Sequence, residues 1–234
     1  FERMRLALRM MRRELRAGEL TVLLAALLVA VAAMSSVGFF TNRVDRALHL
    51  QASQLLAADV VINSDQDNLA RWQGQLGGLR HTQTLTFPSM TLANGQSQLA
   101  TFKAVSPGYP LRGEMLLADP ARPAGSVARG IPGRGEAWPD TRLAQRLGVQ
   151  PGDSITVGES VLKVTAIVQQ EPEVQGIVFS LGPKLLLNID DVPATNLLQP
   201  GNRATWRLLV ADRTGRDVLS GYRTWLNAEL KPGQ

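Results

Sequence analysis

Two residues on a predicted hairpin could form a catalytic pair. Ser89, in the segment FPSM, could be a nucleophile, and Lys103, on the partner strand, could be the base that activates it. A working nucleophile also needs an oxyanion site, and serine–lysine enzymes carry a second motif that this sequence lacks. Serine is common in exposed strands, so we expect Ser89 to be an ordinary strand residue and Lys103 to face water.

Other residue types that carry out chemistry are scattered or absent. His49 and His81 do not belong to a recognisable set of zinc ligands. Glu171 and Glu173 flank Pro172 in a turn-prone stretch, where a paired acid and base would not be held rigidly. The Gly-rich segment RGIPGRGE is not followed by Gly-Lys-Ser/Thr, so it is not a phosphate-binding P-loop. The chain has no Cys, which excludes disulfides, Cys-based metal sites and a thiol nucleophile. From these observations together we predict no catalytic residue, no metal and no cofactor.

The positive charge is concentrated at the N-terminus. The net charge is +5, and residues 1–19 contribute +3 of it, because they hold six Arg and three Glu. No stripe of Lys or Arg interleaved with aromatic residues follows residue 41, so we expect no nucleic-acid partner.

An uncharged apolar segment, LTVLLAALLVAVAAMSSVGFF, occupies residues 20–40. As a helix it would cover roughly 30 Å, the thickness of a bilayer core, and it exceeds the h-region of a signal peptide. The alternative, cleavage near Ala30-Val31-Ala32, is disfavoured because the apolar run continues beyond that triplet. The arginines before it place residues 1–19 in the cytoplasm and the remainder outside.

The basic segment before this span has its own pattern. Its apolar residues recur at helical spacing with arginines around them, which predicts an amphipathic helix over residues 1–19. It could be a topology signal lying on the inner leaflet, or it could bind a partner. The residues that we predict to contact that partner are Arg5, Arg9, Arg12 and Arg13.

The external part alternates strands and helices. We predict a stalk helix over residues 41–58, a hairpin turning at Asn94-Gly95, and a helix that begins at Asp140 and ends at Gly148. Pro88 indicates a bulge or an edge position in the hairpin. The remaining predictions are strands over residues 58–62, 154–157, 161–169 and 204–211, helices over 68–76 and 217–230, and an irregular stretch over 170–198.

The order of these elements predicts an α+β fold with two lobes. Residues 59–118 and 200–234 would form a membrane-proximal α+β lobe, and residues 119–199 an inserted, mostly β lobe entered through a Gly/Pro/Arg-rich connector. The inserted lobe holds a group of apolar residues that we expect to be core, or else to face a partner or a lipidic substrate. Four of them are assigned to this interaction surface: Ile177, Val178, Phe179 and Leu181.

Three segments of the chain resemble a known family. Residues 141–168 read TRLAQRLGVQPGDSITVGESVLKVTAIV, residues 84–115 read TLTFPSMTLANGQSQLATFKAVSPGYPLRGEM, and residues 199–210 read QPGNRATWRLLV. The first looks like an element that recurs in the periplasmic core domain of FtsX/MacB-type ABC transporter permeases. The other two look closer to the YbbP-like permeases within that family.

The resemblance implies a non-catalytic permease subunit of the bacterial inner membrane. A separate cytoplasmic ABC ATPase would bind the ATP, and its hydrolysis would be coupled to periplasmic movement that exports or extracts lipid or hydrophobic compounds. Membrane lipids and a periplasmic thioesterase or lysophospholipase are the other implied partners. The family has further transmembrane helices, so we expect this chain to be a fragment. The alternatives are a single-pass, membrane-anchored periplasmic hydrolase and a binding adaptor.

Overall fold

A computed structural model describes residues 19–55, 57–74, 76–172, 182–199, 203–212 and 218–229. The chain divides into two compact units, Phe1–Gln51 and Ala52–Gln234. The predicted amphipathic helix, with Arg5, Arg9, Arg12 and Arg13, lies outside the described residues, as do Ile177, Val178, Phe179 and Leu181.

The described residues of the first unit lie in one long helix. Helix α1, Glu19–Leu55, has 37 residues and continues into the first residues of the second unit. Its segment Val22–Thr41 is long and apolar enough to cross a membrane, with a mean hydropathy of 2.4 and exposed side chains. This segment matches the predicted span. The predicted stalk is helical to Leu55 rather than residue 58, because Ala57 has a φ of 55° and leaves the helix.

The second unit is built from eleven strands and three helices among its described residues. In chain order these are β1 Val60–Ser64, α2 Ala70–Gln73, β2 Arg80–Ala93, β3 Gln96–Val105, β4 Leu116–Asp119, β5 Arg122–Val127, β6 Glu136–Pro139, α3 Thr141–Leu147, β7 Ser154–Val157, β8 Ser160–Val164, β9 Val168–Gln170, β10 Lys184–Asn188, β11 Thr205–Ala211 and α4 Val218–Glu229. Two 3₁₀ turns, Ile189–Asp191 and Pro193–Thr195, follow β10.

Eight of these strands form the main sheet, in the order β1-β11-β2-β3-β10-β6-β8-β7. Strand β2 has 14 residues, and it pairs with β11 through its first half and with β7 near its end. The pairing of β2 with β7 closes six strands (β2, β3, β10, β6, β8 and β7) into a ring. Strands β5, β4 and β9 form a separate three-stranded sheet.

Three apolar cores hold the unit together. The ring core contains alternate residues of all six ring strands, such as Leu85, Phe102 and Leu185, together with Leu143 and Leu147 of α3. A second core lies where α2 and α4 cover β1 and β11, and it includes Trp72 and Tyr222. The third core includes Ala57, Tyr109, Trp138, Val168 and Leu186.

Several local predictions are confirmed. The α+β class is as predicted, and the hairpin turns at Asn94 and Gly95, which have φ values of 51° and 72°. Pro88 lies between the residues of β2 that pair with β11 and those that pair with β7, so it has an edge position. The Asp140 side chain accepts a hydrogen bond from the Leu143 N–H at the start of α3, and Gly148 ends that helix in the left-handed conformation.

Longer-range pairing is what the sequence pattern did not predict. Strands β6, β7, β8 and β10 come from the predicted inserted lobe, yet they share the main sheet with β2 and β3. The predicted connector contains β4 and β5. Residues 184–188, in the stretch predicted to be irregular, form the central strand β10, and the apolar residues 185–187 are buried there as expected for core.

Gly158 offers a test of how the turn between β7 and β8 packs against the residues that follow β10. It has a φ of 56°, and a Cβ there would overlap the carbonyl oxygen of Thr195 and the Leu197 side chain. Because backbone cannot move aside cheaply, we expect Gly158→Ala to lower the free energy of unfolding by about 3 kcal/mol, measured by denaturant titration.

Gly95→Ala is the matched control. Gly95 also has a positive φ, of 72°, but nothing lies within 4 Å of a Cβ built there. We expect Gly95→Ala to lower the free energy of unfolding by about 1 kcal/mol, because of the backbone conformation alone. Equal losses in the two variants would contradict the close contact between Gly158 and the 3₁₀ turns.

Candidate functional site

Strand register separates the two residues of the hypothetical serine–lysine pair. Ser89 lies opposite Ala100, whereas Lys103 lies opposite Thr86. Side chains alternate between the faces of a strand, so Ser89 and Lys103 lie on opposite faces of the hairpin. This geometry does not support the catalytic pair. Among the described residues, no group of three or more His, Cys, Asp and Glu side chains could hold a metal ion.

Lys103 does not face water, contrary to the prediction. Its side chain is 1% exposed, because the loop after β3 and the three-stranded sheet cover this face of the main sheet with the third apolar core. The ammonium group donates a hydrogen bond to the Tyr109 hydroxyl at 2.6 Å and forms an ion pair with Glu171. It also lies 4.5 Å from the centre of the Tyr109 ring.

Glu171 was passed over in the sequence because it lies in a turn-prone stretch, and the structure corrects this. It directly follows β9, and its side chain is only 10% exposed. The Tyr109 hydroxyl donates a 2.6 Å hydrogen bond to one of its carboxylate oxygens, and the Lys184 ammonium lies 3.5 Å from the other. We call Lys103, Tyr109, Glu171 and Lys184 the Lys103 cluster.

Opposing effects set the pKa of Glu171. Burial raises it, but the charges of Lys103 and Lys184 and the hydrogen bonds from Lys103 and Tyr109 outweigh burial, so the pKa lies below its ordinary value of 4.5. Glu171 is therefore the ionised partner that a buried lysine requires.

A cavity of about 230 Å³ lies beside this cluster. Five charged side chains contribute to its lining, together with two amides and an apolar wall: Lys103, Asp140, Arg142, Glu171 and Lys184; Gln169 and Gln170; Trp138, Val168, Leu185 and Leu186. Asp140 is partly buried, and burial raises its pKa more than the backbone hydrogen bonds from Leu143 and Lys184 lower it. The cavity combines charge with apolar surface, as ligand sites do.

The loop that carries Tyr109 also reaches the residues that follow helix α1. The backbone N–H groups of Leu111 and Arg112 both donate to the carbonyl oxygen of Ala57, at 3.1 and 2.9 Å. The Arg112 guanidinium binds both carboxylate oxygens of Asp59, at 2.9 and 2.7 Å, and the Asp212 carbonyl at 2.8 Å. We call this arrangement the foot clamp.

The foot clamp is also an electrostatic contact. Burial raises the pKa of Asp59, but the hydrogen bond and charge of Arg112 and the hydrogen bond from the Asp212 N–H together lower it below its ordinary value. One short loop thus contacts Lys103 and Glu171 through Tyr109, and Asp59, after the end of α1, through Arg112.

Sequence reasoning missed the Lys103 cluster, although one sign of it was present. Lys103 interrupts the apolar run LATFKAV, and a lysine inside a buried strand needs a carboxylate partner. Local pattern did not identify that partner, because Glu171 is 68 residues away from Lys103 in the chain.

Comparison with known proteins gives a curated relative. The chain is 34% identical over 226 residues to the uncharacterized ABC transporter permease YbbP of Escherichia coli (strain K12). The match covers 95% of this chain and 27% of the relative, so the chain spans about a quarter of that protein. No protein-family model matches the chain.

Solved structures with low sequence identity are also similar. They are the extracellular domain of the noncanonic ABC-type transporter YknZ from Gram-positive bacteria (TM-score 0.47, 10% identity, 71% of this chain and 83% of that one) and the periplasmic region of MacB from Actinobacillus actinomycetemcomitans (TM-score 0.44, 10% identity, 72% and 81%). A third is a domain of a permease protein from Porphyromonas gingivalis (TM-score 0.43, 13% identity, 73% and 83%).

Removing the carboxylate of the Lys103 cluster should lower the stability of the fold. In Glu171→Gln the Lys103 ammonium stays buried without its counter-charge, and we expect a loss of about 3 kcal/mol in the free energy of unfolding. Thermal unfolding followed by circular dichroism would show a lower Tm. Glu114→Gln, at an exposed position, is the control and should leave the Tm unchanged.

The double variant Lys103→Met with Glu171→Gln separates charge from shape. It removes both charges, so most of the lost stability should return. A double variant as unstable as Glu171→Gln alone would mean that packing, rather than the unpaired charge, causes the loss.

Acid should remove the stabilisation that the ionised Glu171 carboxylate provides in the unmodified chain. Because folding lowers the pKa of Glu171, its ionisation stabilises the fold at pH values above 4.5, and this stabilisation is lost as the pH falls below 4.5 through the folded-state pKa. The stability difference between the wild type and Glu171→Gln should therefore shrink on acidification. A constant difference between pH about 7 and about 3 would contradict the lowered pKa.

Proposed function

We propose that this chain is the part of a YbbP-like ABC transporter permease that carries an N-terminal membrane span and a periplasmic domain. Its match to such a permease covers 95% of its residues. That match is the observation that carries the proposal, and it confirms the resemblance predicted from the sequence. The function follows from the family: a permease subunit that does not itself hydrolyse ATP.

The finer points of the function are proposals, since the chain spans 27% of its relative. We propose that a separate cytoplasmic ATPase hydrolyses ATP and that this drives periplasmic movement for the export or extraction of lipid or hydrophobic compounds. The exposed apolar side chains of Val22–Thr41 support a membrane environment. The inner membrane, with a cytoplasmic N-terminus, fits the arginines before the span.

Two contact surfaces belong to this proposal and lie outside the described residues. Arg5, Arg9, Arg12 and Arg13 would contact the ATPase on the cytoplasmic side. Ile177, Val178, Phe179 and Leu181 would form the periplasmic surface for a hydrophobic substrate or for the implied thioesterase partner. Both rest on sequence pattern alone.

We further propose that α1 transmits movement from the membrane to the periplasmic domain. Its 37 residues contain no Pro, and an unbroken helix keeps its backbone hydrogen bonds and its direction. The foot clamp then holds the chain directly after the helix, through Ala57 and Asp59. A stiff rod fixed at its end can pass on a displacement, whereas a flexible linker would absorb it.

Interrupting helix α1 should uncouple ATP hydrolysis from movement of the periplasmic domain. In the whole permease with its ATPase, Leu48→Pro removes a backbone hydrogen bond and kinks α1. We expect ATP hydrolysis to continue while ATP-dependent movement of the periplasmic domain is lost. Since the chain has no Cys, a fluorophore on Glu114→Cys, an exposed position, gives a unique label in this chain that reports the movement.

Leu48→Ala is the matched control, because it shortens the same side chain without removing the backbone N–H. It should retain both activities. ATP-dependent movement that survives Leu48→Pro in an intact complex would count against transmission through the helix, while the family relationship would stand.

A further inference from the structure

We propose that Asn94 is a site of spontaneous covalent modification, deamidation to aspartate or isoaspartate, and that the modification releases the β2–β3 hairpin from helix α3. This inference goes beyond the proposed permease function and does not depend on it. It rests on the residue that follows Asn94, on the exposure of the turn, and on the two carbonyl groups that the Asn94 side chain contacts.

The turn between β2 and β3 has the features that this reaction requires. Asparagine is a thermolabile residue, and Asn94 is the one asparagine of the chain that glycine follows. Asn94 and Gly95 are both exposed, and apart from the chain neighbours nothing lies within 4 Å of a Cβ built at Gly95. Among the described residues, no hydrogen bond joins the Gly95 N–H to another backbone group. The Gly95 nitrogen is therefore open for attack on the Asn94 side chain.

The reaction needs only water and a base. Once a hydroxide ion has removed its proton, the Gly95 nitrogen attacks the Asn94 Cγ, and the Cγ–Nδ2 bond breaks as ammonia leaves with a proton from water. The new bond between the Gly95 nitrogen and Cγ closes a cyclic imide. Water then opens the ring, at Cγ to give aspartate or at the backbone carbonyl carbon of Asn94 to give isoaspartate. The net change is the replacement of an amide by a carboxylate.

The amide nitrogen that leaves is the group that holds the hairpin against the end of α3. Asn94 Nδ2 donates to the carbonyl oxygens of Leu147 and Gly148, at 3.1 and 2.9 Å. A helix leaves the carbonyl groups at its C-terminus without intrahelical partners, and Asn94 supplies partners here. The first bond is only partly buried and the second is exposed, so water reaches the amide.

Deamidation removes this contact. An ionised carboxylate accepts hydrogen bonds but cannot donate them, so both bonds to the end of α3 are lost. Negative charge is also unfavourable beside the C-terminal carbonyl groups of a helix. Isoaspartate in addition lengthens the backbone of the turn. The tip of the hairpin should therefore separate from α3.

Peptide mapping of the full chain after incubation at mildly alkaline pH tests the modification. The tryptic peptide of residues 81–103 contains Asn94 as its sole asparagine, and fragmentation in the mass spectrometer separates conversion at Asn94 from conversion at the glutamines. We expect the acid to appear at Asn94 before it appears at any other asparagine. An Asn94 that stays an amide throughout, or that converts after another asparagine, overturns the proposal.

Gly95→Ala is the matched variant for the chemistry. It keeps the Asn94 amide but places a methyl group beside the attacking nitrogen, so most of the conversion should be lost. Gly77→Ala, at a glycine of similarly positive φ in another turn with open space around it, should convert as the wild type does. Conversion in Gly95→Ala at the wild-type rate contradicts attack by the Gly95 nitrogen.

Hydrogen–deuterium exchange tests the release of the hairpin. Asn94→Asp copies one of the products, and we expect exchange over residues 141–149 to be faster than in the wild type, with unchanged exchange in β11. Asn94→Gly removes the amide without adding a charge, permits the positive φ of 51°, and should show a smaller increase. Wild-type exchange over residues 141–149 in Asn94→Asp would mean that deamidation does not release the hairpin.

Discussion

A full positive charge buried against a β-sheet is the constraint around which this domain is arranged. Lys103 cannot be solvated where it lies, so a carboxylate and a hydroxyl must be brought to it from distant parts of the chain. The end of β9, the loop after β3 and the face of β10 that carries Lys184 all meet at this cluster. Apolar residues alone would tolerate small shifts in these elements, whereas an ion pair loses most of its energy when they occur.

The loop after β3 joins this ion pair to the residues that follow helix α1. Tyr109 belongs to the Lys103 cluster, while Leu111 and Arg112 hold Ala57 and Asp59 directly after helix α1. Few rotatable bonds separate these contacts. The Lys103 cluster and the foot clamp therefore share one loop.

How far the sequence predicts this structure depends on the range of the interaction. Asn94-Gly95, Asp140 and Gly148 act within a few residues of themselves, and their turns and caps are where the pattern placed them. The parallel pairing of β3 with β10 depends on contacts between distant segments, which leave no local pattern, so the sequence did not predict that strands of both lobes share one sheet. The ion pair of Lys103 with Glu171 was missed for the same reason, because the two residues are 68 positions apart in the chain.

Strand β2 has a further consequence for how the domain behaves towards other chains. It pairs with β3 along one side, and on its other side it pairs with β11 and then β7. The end strand β7 is thereby joined back to the sheet, which leaves β1, with five residues, as the outer strand of the main sheet in the described part of the chain. So short an edge strand offers few unpaired backbone N–H and C=O groups with which a strand of another chain could pair. The described part of the main sheet is thus protected from edge-to-edge pairing by its own longest strand.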